Sequence, residues 1–284
     1  MPRYPALSLD GATVIVTGGA RGIGAATARA FSEHGATVWI GDLDASLAEQ
    51  TAATLDNTHA AHLDVTSPES WAAFTATVIE HSGSVDVLVN NAGIMPLGPF
   101  LDQADALSRL MIDINVHGPS HGTRAVLPGM LERRRGHIVT VASMAGKLPI
   151  PGMAMYNASK FAAVGLSSAL RAENARTGVS FSCVMPSAVR TELSSGARLG
   201  GALPTVDPED VAREIVRTVR TRAAEVSVPR FVHPAVALMH ALVPEPIERI
   251  GRALINDRRA LDQLDHHARR PYEDRIASQL GGHS

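Results

Sequence analysis

Cysteine and net charge are both scarce in this sequence. Among its 284 residues there is one cysteine, Cys183, and the formal net charge at pH 7 is −2. One thiol cannot build an internal disulfide framework, which favours a reducing compartment such as the cytoplasm. A nearly neutral chain also gives no indication that nucleic acid or an anionic membrane surface is its main partner. We therefore expect a cytoplasmic protein that does not bind nucleic acid.

Long hydrophobic runs are missing as well. The longest late apolar stretch, residues 231–243, is interrupted by His233, Pro234 and His240 and is too short to cross a bilayer. The first residues show no apolar core followed by a cleavage site, which a signal peptide requires. We expect no transmembrane segment. Hydrophobic residues make up 45% of the chain and charged residues 19%, proportions that suit one α/β domain with a large core.

What the sequence does contain is a β-branched run that ends in three spaced glycines. Residues 13–17 read Thr-Val-Ile-Val-Thr, and Gly18, Gly22 and Gly24 follow before a helical pattern begins. A parallel strand buried on both faces is apolar throughout, and glycine lets the backbone turn tightly beside a ligand. The helix that follows offers unpaired N–H groups and a positive dipole end. This pattern predicts a seat for the pyrophosphate of a dinucleotide.

A carboxylate follows the second strand pattern. Asp42 comes shortly after the run at 37–40 and eighteen residues past Gly24. An acidic residue at about this distance binds the ribose hydroxyls of a dinucleotide. The combination therefore favours a dinucleotide site over an ordinary glycine-rich turn.

Strand-like and helical patterns alternate through the rest of the chain. Further strand patterns cover residues 60–65, 85–90, 137–142 and 179–185, with helical stretches between them. Such alternation implies right-handed crossovers and a single Rossmann-like, doubly wound parallel sheet with helices on both faces. We assign residues 1–230 to this catalytic domain.

Residues 231–284 are predicted to form a helical extension. Apolar residues recur there on roughly one helix face: Ile247, Ile250, Leu254, Leu261 and Leu264. The same domain, a partner subunit or a lipid surface has to cover such a stripe. Packing on the domain or its partner is the simplest interpretation, and a lid over a lipophilic substrate is the alternative.

Proton-transfer chemistry is indicated by a tyrosine and a lysine four residues apart. Tyr156 and Lys160 lie at the start of a predicted helix and share one of its faces. A phenol titrates near ~10, and a nearby ammonium lowers its pKa. Ser143 ends a strand thirteen residues before Tyr156, and Asn115 precedes an interruption at Gly118 in a long helical region. A bend there would free a backbone carbonyl.

Together these motifs resemble the short-chain dehydrogenase/reductase family, over about residues 8–230. The glycine motif has the spacing T-G-x-x-x-G-x-G, and residues 90–93 read N-N-A-G as in that family. The resemblance implies a catalytic tetrad: Asn115, Ser143, Tyr156 and Lys160. It also implies a set of cofactor-binding residues: Gly18, Arg21, Gly22, Ile23, Gly24, Asp42, Asp64, Val65, Asn91, Ala92, Gly93, Tyr156, Lys160, Pro186, Val189 and Thr191.

The sequence departs from the family pattern in one loop and leaves two other sites open. The family has P-G-x-V-x-T after the sixth strand, and here Ser187 replaces the glycine, which would be strained if the position needs a positive φ. Asp64 is either the family's adenine-contacting acid or part of the loop that caps the next helix. His117 and His121 are four residues apart, but no third ligand joins them by spacing, so we predict no metal site.

The resemblance implies an oxidoreductase that transfers a hydride between NAD(H) and a secondary alcohol or ketone. Asp42 favours NAD over NADP, whereas Arg21 would suit a 2′-phosphate. Methionine and leucine residues flank the catalytic motifs, which favours an apolar substrate. A homodimer or homotetramer is expected. The alternatives are an enzyme resembling sugar-nucleotide epimerases and dehydratases, and a non-catalytic dinucleotide sensor.

Overall fold

A seven-stranded parallel sheet forms the centre of the molecule in the computed structural model, which describes residues 4–197, 204–242 and 264–282. The strands of the described residues are β1 (Thr13–Thr17), β2 (Thr37–Asp42), β3 (Thr58–His62), β4 (Val87–Asn90), β5 (Gly136–Val141), β6 (Val179–Pro186), β7 (Ala188–Val189), β8 (Thr205–Val206) and β9 (Glu225–Val228). Seven of them form the central sheet in the order β3-β2-β1-β4-β5-β6-β9, and the short strands β7 and β8 pair separately.

Helices cover both faces of this sheet. They are α1 (Gly22–Ser32), α2 (Ala45–Ala52), α3 (Pro68–Ser82), α4 (Asp105–Ile112), α5 (Gly118–Glu132), α6 (Ala154–Glu173), α7 (Pro208–Thr221), α8 (Val232–Leu242) and α9 (His266–Gly282). Val14 and Val16 of β1 pack in one layer with α1, α2 and α7. Ile15, between them, packs in the other layer with α3, α4 and α5. This arrangement confirms the predicted doubly wound sheet.

The third strand is shorter than the sequence pattern suggests. It ends at His62, so Asp64 and Val65 lie in the loop that follows. The cause is local, because Asp64 Oδ1 accepts hydrogen bonds from the backbone N–H and the hydroxyl of Thr66, at 2.8 and 2.7 Å. A side chain that captures the backbone two residues onward turns the chain out of a strand. Ser67 then caps α3 by accepting from Ser70 N.

The C-terminal extension contains a helix, as predicted. Tyr272 and Ile276 of α9 are buried in the main core cluster, so this helix packs on its own domain. Most of the predicted apolar stripe, from Ile247 to Leu261, lies outside the described residues, and Leu264 lies just before α9. Within the described ranges, no helix combines the length and the apolar character that a membrane crossing needs.

Candidate active site

The glycine turn joins β1 to α1 at the carboxyl edge of the sheet. Gly18 and Gly22 have φ angles of +62° and +56°, which favour glycine. A Cβ on Gly24 would lie 2.0 Å from the carbonyl oxygen of Gly18, so a larger residue cannot enter the turn. Helix α1 begins at Gly22, and the preceding Arg21 supplies no side-chain cap. The N–H groups of its first turn, including that of Ile23, are thus oriented for an anion.

The N-N-A-G segment after β4 is tied to this turn. Asn91 Nδ2 donates to the carbonyl oxygens of Thr17 and Gly18, at 2.8 and 3.1 Å. The Thr17 hydroxyl in turn accepts from the backbone N–H groups of Asn91 and Ala92, both at 3.0 Å. The ends of β1 and β4 are therefore fixed to each other, which holds the glycine turn and the N-N-A-G segment side by side.

Gly93 lies against two of the proposed catalytic groups. A Cβ at this position would lie 3.1 Å from Asn115 Oδ1 and 3.6 Å from Lys160 Nζ. Because glycine has no side chain, the Asn115 amide and the Lys160 ammonium can lie this close to the backbone.

Asp42 ends β2 with its carboxylate next to the glycine turn. Its Oδ2 accepts from the backbone N–H of Ala20 at 3.0 Å, and its Oδ1 accepts from that of Asp44 at 3.1 Å. Each oxygen retains a lone pair for a further donor. The carboxylate is thus fixed in direction and still able to accept hydrogen bonds from ribose hydroxyls.

Arg21 is held by carboxylates on two sides. Its guanidinium forms ion pairs with Asp44 at 2.9 Å and with Glu192 at 3.2 Å. Glu192 follows the loop after β6 and also pairs with Arg275 of α9. Burial raises the pKa of Glu192, but the hydrogen bonds and the positive charges of Arg275 and Arg21 together outweigh this effect and lower the pKa overall. A 2′-phosphate would therefore compete with existing partners for Arg21.

Asn115 lies in a π-helical turn, Asp113–His117, between α4 and α5. The predicted interruption is therefore real but starts before Gly118, which is the first residue of α5. Pro119 has no N–H, so the usual bond to the backbone carbonyl four residues earlier, that of Asn115, cannot form. π-turns of this kind occur often at functional sites. The Asn115 side chain is buried and donates to Ser159 Oγ at 3.0 Å.

Tyr156 and Lys160 are buried on one face of α6, each about 6% exposed. Lys160 Nζ lies 5.6 Å from the centre of the Tyr156 ring and donates to the carbonyl oxygen of Val141 at 3.2 Å. Burial lowers the pKa of Lys160 to about 8. Ser143 lies two residues beyond β5, not at the end of the strand as predicted, and caps a short 3₁₀ turn by accepting from Ala145 N at 3.1 Å. Its side chain is hydrogen-bonded to Tyr156, so the predicted tetrad residues after β5 and on α6 come together.

The pKa of Tyr156 is raised in the protein alone, whereas the predicted lowering requires Lys160 together with the positively charged nicotinamide ring. Burial is the main cause, and the hydrogen bond with Ser143 acts in the other direction. Desolvation disfavours a buried phenolate, so the protein by itself holds Tyr156 in its neutral form. The predicted lowering consequently needs a further positive charge beside the ring, in addition to Lys160.

The loop after β6 reaches back to the glycine turn. A Cβ on Gly22 would lie 3.4 Å from Thr191 Cγ2, so this loop and the turn border the same space. Val189 pairs with β8 and is buried, and Pro186 ends β6. Ser187 is unstrained, because Asn57, Arg134 and Arg222 are the non-glycine residues with positive φ among the residues described. Its hydroxyl donates to the Pro204 carbonyl at 2.5 Å.

Asp64 and the two histidines have local roles. The hydrogen bonds of Asp64 to Thr66 agree with the loop interpretation, and Asp64 follows β3 at the carboxyl edge of the sheet. His117 and His121 stack with ring centres 6.1 Å apart, and His121 approaches the Val65 carbonyl at 3.4 Å. No group of three or more candidate metal ligands occurs in the part of the chain that is described.

Two residues of α9 that sequence reasoning missed contact the site. Tyr272 Oη accepts from the backbone N–H of Met95 at 2.7 Å, and Arg269 donates to the carbonyl oxygen of the same residue. Both contacts involve backbone groups, which have no sequence signature. The only signal that the sequence offers is that Tyr272 is the one aromatic residue among phenylalanine, tyrosine and tryptophan in α9.

Comparison with known proteins matches these features to one family. The family model described as short chain dehydrogenase covers residues 12–200. The chain is 36% identical over 218 residues to oxidoreductase UcpA from Escherichia coli strain K12, with 75% of this chain and 82% of UcpA covered. It is 33% identical over 258 residues to mouse estradiol 17-beta-dehydrogenase 11, with 88% and 85% of the two chains covered.

Solved structures show the same likeness. A short chain dehydrogenase/reductase from Burkholderia phymatum in complex with NAD superposes with a TM-score of 0.75 at 26% identity, over 83% of this chain and 95% of that one. The 3-ketoacyl-(acyl-carrier-protein) reductase from Brucella melitensis, complexed with NADH, gives a TM-score of 0.73 at 26% identity, over 78% and 98%.

Proposed function

Because the chain belongs to the short-chain dehydrogenase/reductase family, we propose that it is an NAD(H)-dependent alcohol dehydrogenase or carbonyl reductase. The observation that carries the proposal is the close approach of Asn115 and Lys160 to the backbone at Gly93, in the segment that Asn91 ties to the glycine turn. Gly18, Gly22, Asp42, Asn91 and Thr191 would hold the cofactor. When bound, the nicotinamide exchanges a hydride with the substrate carbon, and its oxidised ring adds a positive charge.

We assign Tyr156 as the residue that exchanges a proton with the substrate oxygen. In oxidation its phenolate takes the proton of the substrate hydroxyl, and in reduction its phenol returns that proton to the carbonyl oxygen. Ser143 donates a hydrogen bond to the same substrate oxygen and so stabilises the negative charge that develops there. Lys160 favours the phenolate by its positive charge and binds the cofactor ribose.

Asn115 is assigned to the path by which protons pass between the site and solvent. Pro119 has no N–H to donate to the Asn115 backbone carbonyl, as the residue four positions later does in a regular helix. A water bound to this carbonyl would connect Lys160 with solvent. The buried side chain of Asn115 keeps this turn in place through its bond to Ser159. Since Ser159 Oγ also donates to the Tyr156 carbonyl at 2.8 Å, the asparagine and the tyrosine are fixed relative to each other.

We propose an apolar secondary alcohol or ketone as the substrate class. Leu97, Met153 and Met155 pack in the same apolar cluster as Tyr156, and Leu97 and Met155 remain partly accessible. Met144 and Leu148 belong instead to a separate core cluster with Met185, so these two residues do not support the assignment. Methionines that border an apolar site adapt to varied ligand shapes.

A panel of secondary alcohols tests both the reaction and the substrate class. We expect NAD-dependent turnover, followed at the nicotinamide absorbance, with kcat/KM at least about tenfold higher for bulky apolar alcohols than for small polar ones. Each added methylene that is buried contributes about 0.8 kcal/mol. Faster turnover of the small polar alcohols would contradict the substrate class. Cofactor binding without turnover of any alcohol or ketone would favour the dinucleotide sensor.

We also propose a homodimer or homotetramer. Helices α5 and α6 are long, and Phe161 on α6 is 45% exposed, a large apolar residue that a symmetric contact between copies would bury. Light scattering at micromolar concentration is expected to give at least twice the chain mass. Phe161→Asp should shift the mass toward the monomer, whereas a monomeric wild type would contradict the assembly. A cytoplasmic location and the boundary at residue 230 also stay proposals.

A further inference from the structure

Side chains bind all four backbone polar groups of one dipeptide after β4. On one side, Ile94 N donates to Asn115 Oδ1 at 2.9 Å, and Asn115 Nδ2 donates to the Ile94 carbonyl at 3.0 Å. On the other side, Met95 N donates to Tyr272 Oη at 2.7 Å, and the Met95 carbonyl accepts from Arg269. The proposed catalytic asparagine and the C-terminal helix α9 thus hold the same short segment.

Arg269 connects this segment to the loop after β6. Its side chain is fully buried, and Nη1 donates to the carbonyl oxygens of Ser195 and Leu193 at 2.9 and 3.3 Å. The planar guanidinium has five donors in a fixed fork, so one side chain sets the spacing of three carbonyls. The nearest carboxylate, Glu273, is 3.6 Å from Nε, and Nε has no hydrogen-bond partner in the described part of the chain.

Burying an arginine without a hydrogen-bonded carboxylate is expensive. An apolar side chain of similar volume often stabilises such a position as well or better. An apolar side chain could not hydrogen-bond the backbone carbonyls of the two loops that border the proposed site. Arg269 does so and thereby orients both loops. Its position over the Tyr272 ring, 4.7 Å from the ring centre, adds a cation–π contact that orients the tyrosine as well.

The contacts continue from Ile94 to the catalytic tyrosine. Asn115 Nδ2 donates to Ser159 Oγ at 3.0 Å, and Ser159 Oγ donates to the Tyr156 carbonyl at 2.8 Å. Hydrogen bonds on both sides of the dipeptide therefore connect α9, through the backbone of Ile94 and Met95, to the backbone of the proposed catalytic tyrosine.

We infer that α9 is a functional part of the active site, in which Tyr272 and Arg269 are positioning residues. They hold Ile94 and Met95 in place, and through them the side chain of Asn115. The inference rests on the proposed function for its effect on turnover. The hydrogen-bonded arrangement that it describes does not depend on that function.

Tyr272→Phe is the variant that tests the inference. It removes the hydroxyl that Met95 N–H requires and keeps the buried ring. We expect kcat to fall roughly tenfold, since small displacements of catalytic groups cost this much or more, while KM for NAD stays within about twofold of wild type. Hydrogen–deuterium exchange of the segment 93–97 should become faster. A residue with a purely structural role would lower the melting temperature without this separation of kcat from KM.

Two further variants make the result decisive. Arg269→Met should speed exchange in both the 93–97 and 191–197 segments, because it removes the donors that both loops share. Arg270→Met is the matched control, since the neighbouring side chain is exposed and pairs only loosely with Asp274 at 3.9 Å. We expect wild-type exchange and turnover for the control.

The outcomes separate this inference from the proposed function. An inactive wild type would refute the proposed function, and exchange in Tyr272→Phe would then decide the inference alone. With an active wild type, faster exchange at 93–97 and reduced kcat in Tyr272→Phe support the inference. Unchanged exchange, or kcat within twofold of wild type, overturns it. If Arg269→Met does not fold, the tyrosine variant still gives this answer.

Discussion

Tyr156→Phe is expected to lower kcat by about 10²–10⁴-fold, the range that general acid–base catalysis contributes. The variant loses the only group proposed to exchange a proton with the substrate oxygen. Ser143 is still present to donate a hydrogen bond to that oxygen, and Lys160 to bind the cofactor ribose. Some turnover is therefore expected to survive, with water in place of Tyr156 as the proton donor or acceptor. The measurement is kcat under saturating NAD with the best alcohol of the panel.

The structure indicates that Tyr156→Phe removes the hydroxyl without disturbing the surrounding core. The Tyr156 ring is 6% exposed and packs in the main core cluster, where phenylalanine fills nearly the same volume. Removing a hydroxyl whose pKa is raised by burial leaves no charge behind. We therefore expect the dissociation constant for NADH to change less than about twofold. Losing both cofactor binding and turnover would indicate a folding defect instead of a chemical one.

A second tyrosine provides the control. Tyr4 lies near the start of the chain, where its ring contacts Arg171 with 5.7 Å between the guanidinium carbon and the ring centre. Tyr4→Phe removes the same atom far from the proposed site and should retain wild-type turnover. If Tyr156→Phe retained turnover within threefold of wild type, the proton donor would have to be another group.

The sheet and its carboxyl edge could be predicted because the pattern of residues carries the physics directly. Buried parallel strands require apolar residues on both faces, and right-handed crossovers bring the carboxyl ends of the strands to one edge. The glycine turn at 18–24, Asp42 and the N-N-A-G segment therefore had to meet. The contact of Asn91 with Thr17 and Gly18 is the geometric result.

Competition between neighbouring groups decides two features of this region that the sequence pattern does not contain. The predicted third strand at 60–65 ends early, because the Asp64 side chain binds the backbone of Thr66 in place of a neighbouring strand. Arg21 has the right type and position for a phosphate, but Asp44 and Glu192 pair with it. Both outcomes depend on which partner lies closest in space, and hydrophobic periodicity contains no information about that.

The role of α9 could not be predicted at all. Tyr272 and Arg269 bind the backbone of Met95 across 177 and 174 positions of the sequence. The groups of Met95 that they bind are its backbone N–H and carbonyl, which every non-proline residue has. No sequence motif can therefore mark the contact. The helical pattern of the tail indicated that it must pack somewhere, and only the fold shows which loops it holds.

Cofactor choice is the other property for which we expect a large effect, and two parts of the structure favour NAD. The Asp42 carboxylate is fixed by the N–H groups of Ala20 and Asp44, and a 2′-phosphate near it would bring close to two further negative charges. At ~4 Å and an effective dielectric constant of ~20, each pair of like charges costs about 4 kcal/mol before screening. Arg21, the cation that would offset this, already pairs with two carboxylates.

We expect the wild type to use NAD with at least about tenfold higher kcat/KM than NADP, equivalent to about 1.4 kcal/mol. Asp42→Ala should narrow or reverse this ratio, because it removes the repulsion together with the acceptor of the ribose hydroxyls. Asp42→Asn isolates the charge, since its amide oxygen still accepts from Ala20 N–H. Asp105→Asn, a change in an 83% exposed carboxylate on α4, is the control and should leave the ratio unchanged. Both cofactors are measured at one ionic strength, because screening weakens exposed charge interactions. Equal or better use of NADP by the wild type, or a ratio in both Asp42 variants that is unchanged from wild type, would refute the assignment of Asp42 as the residue that selects NAD.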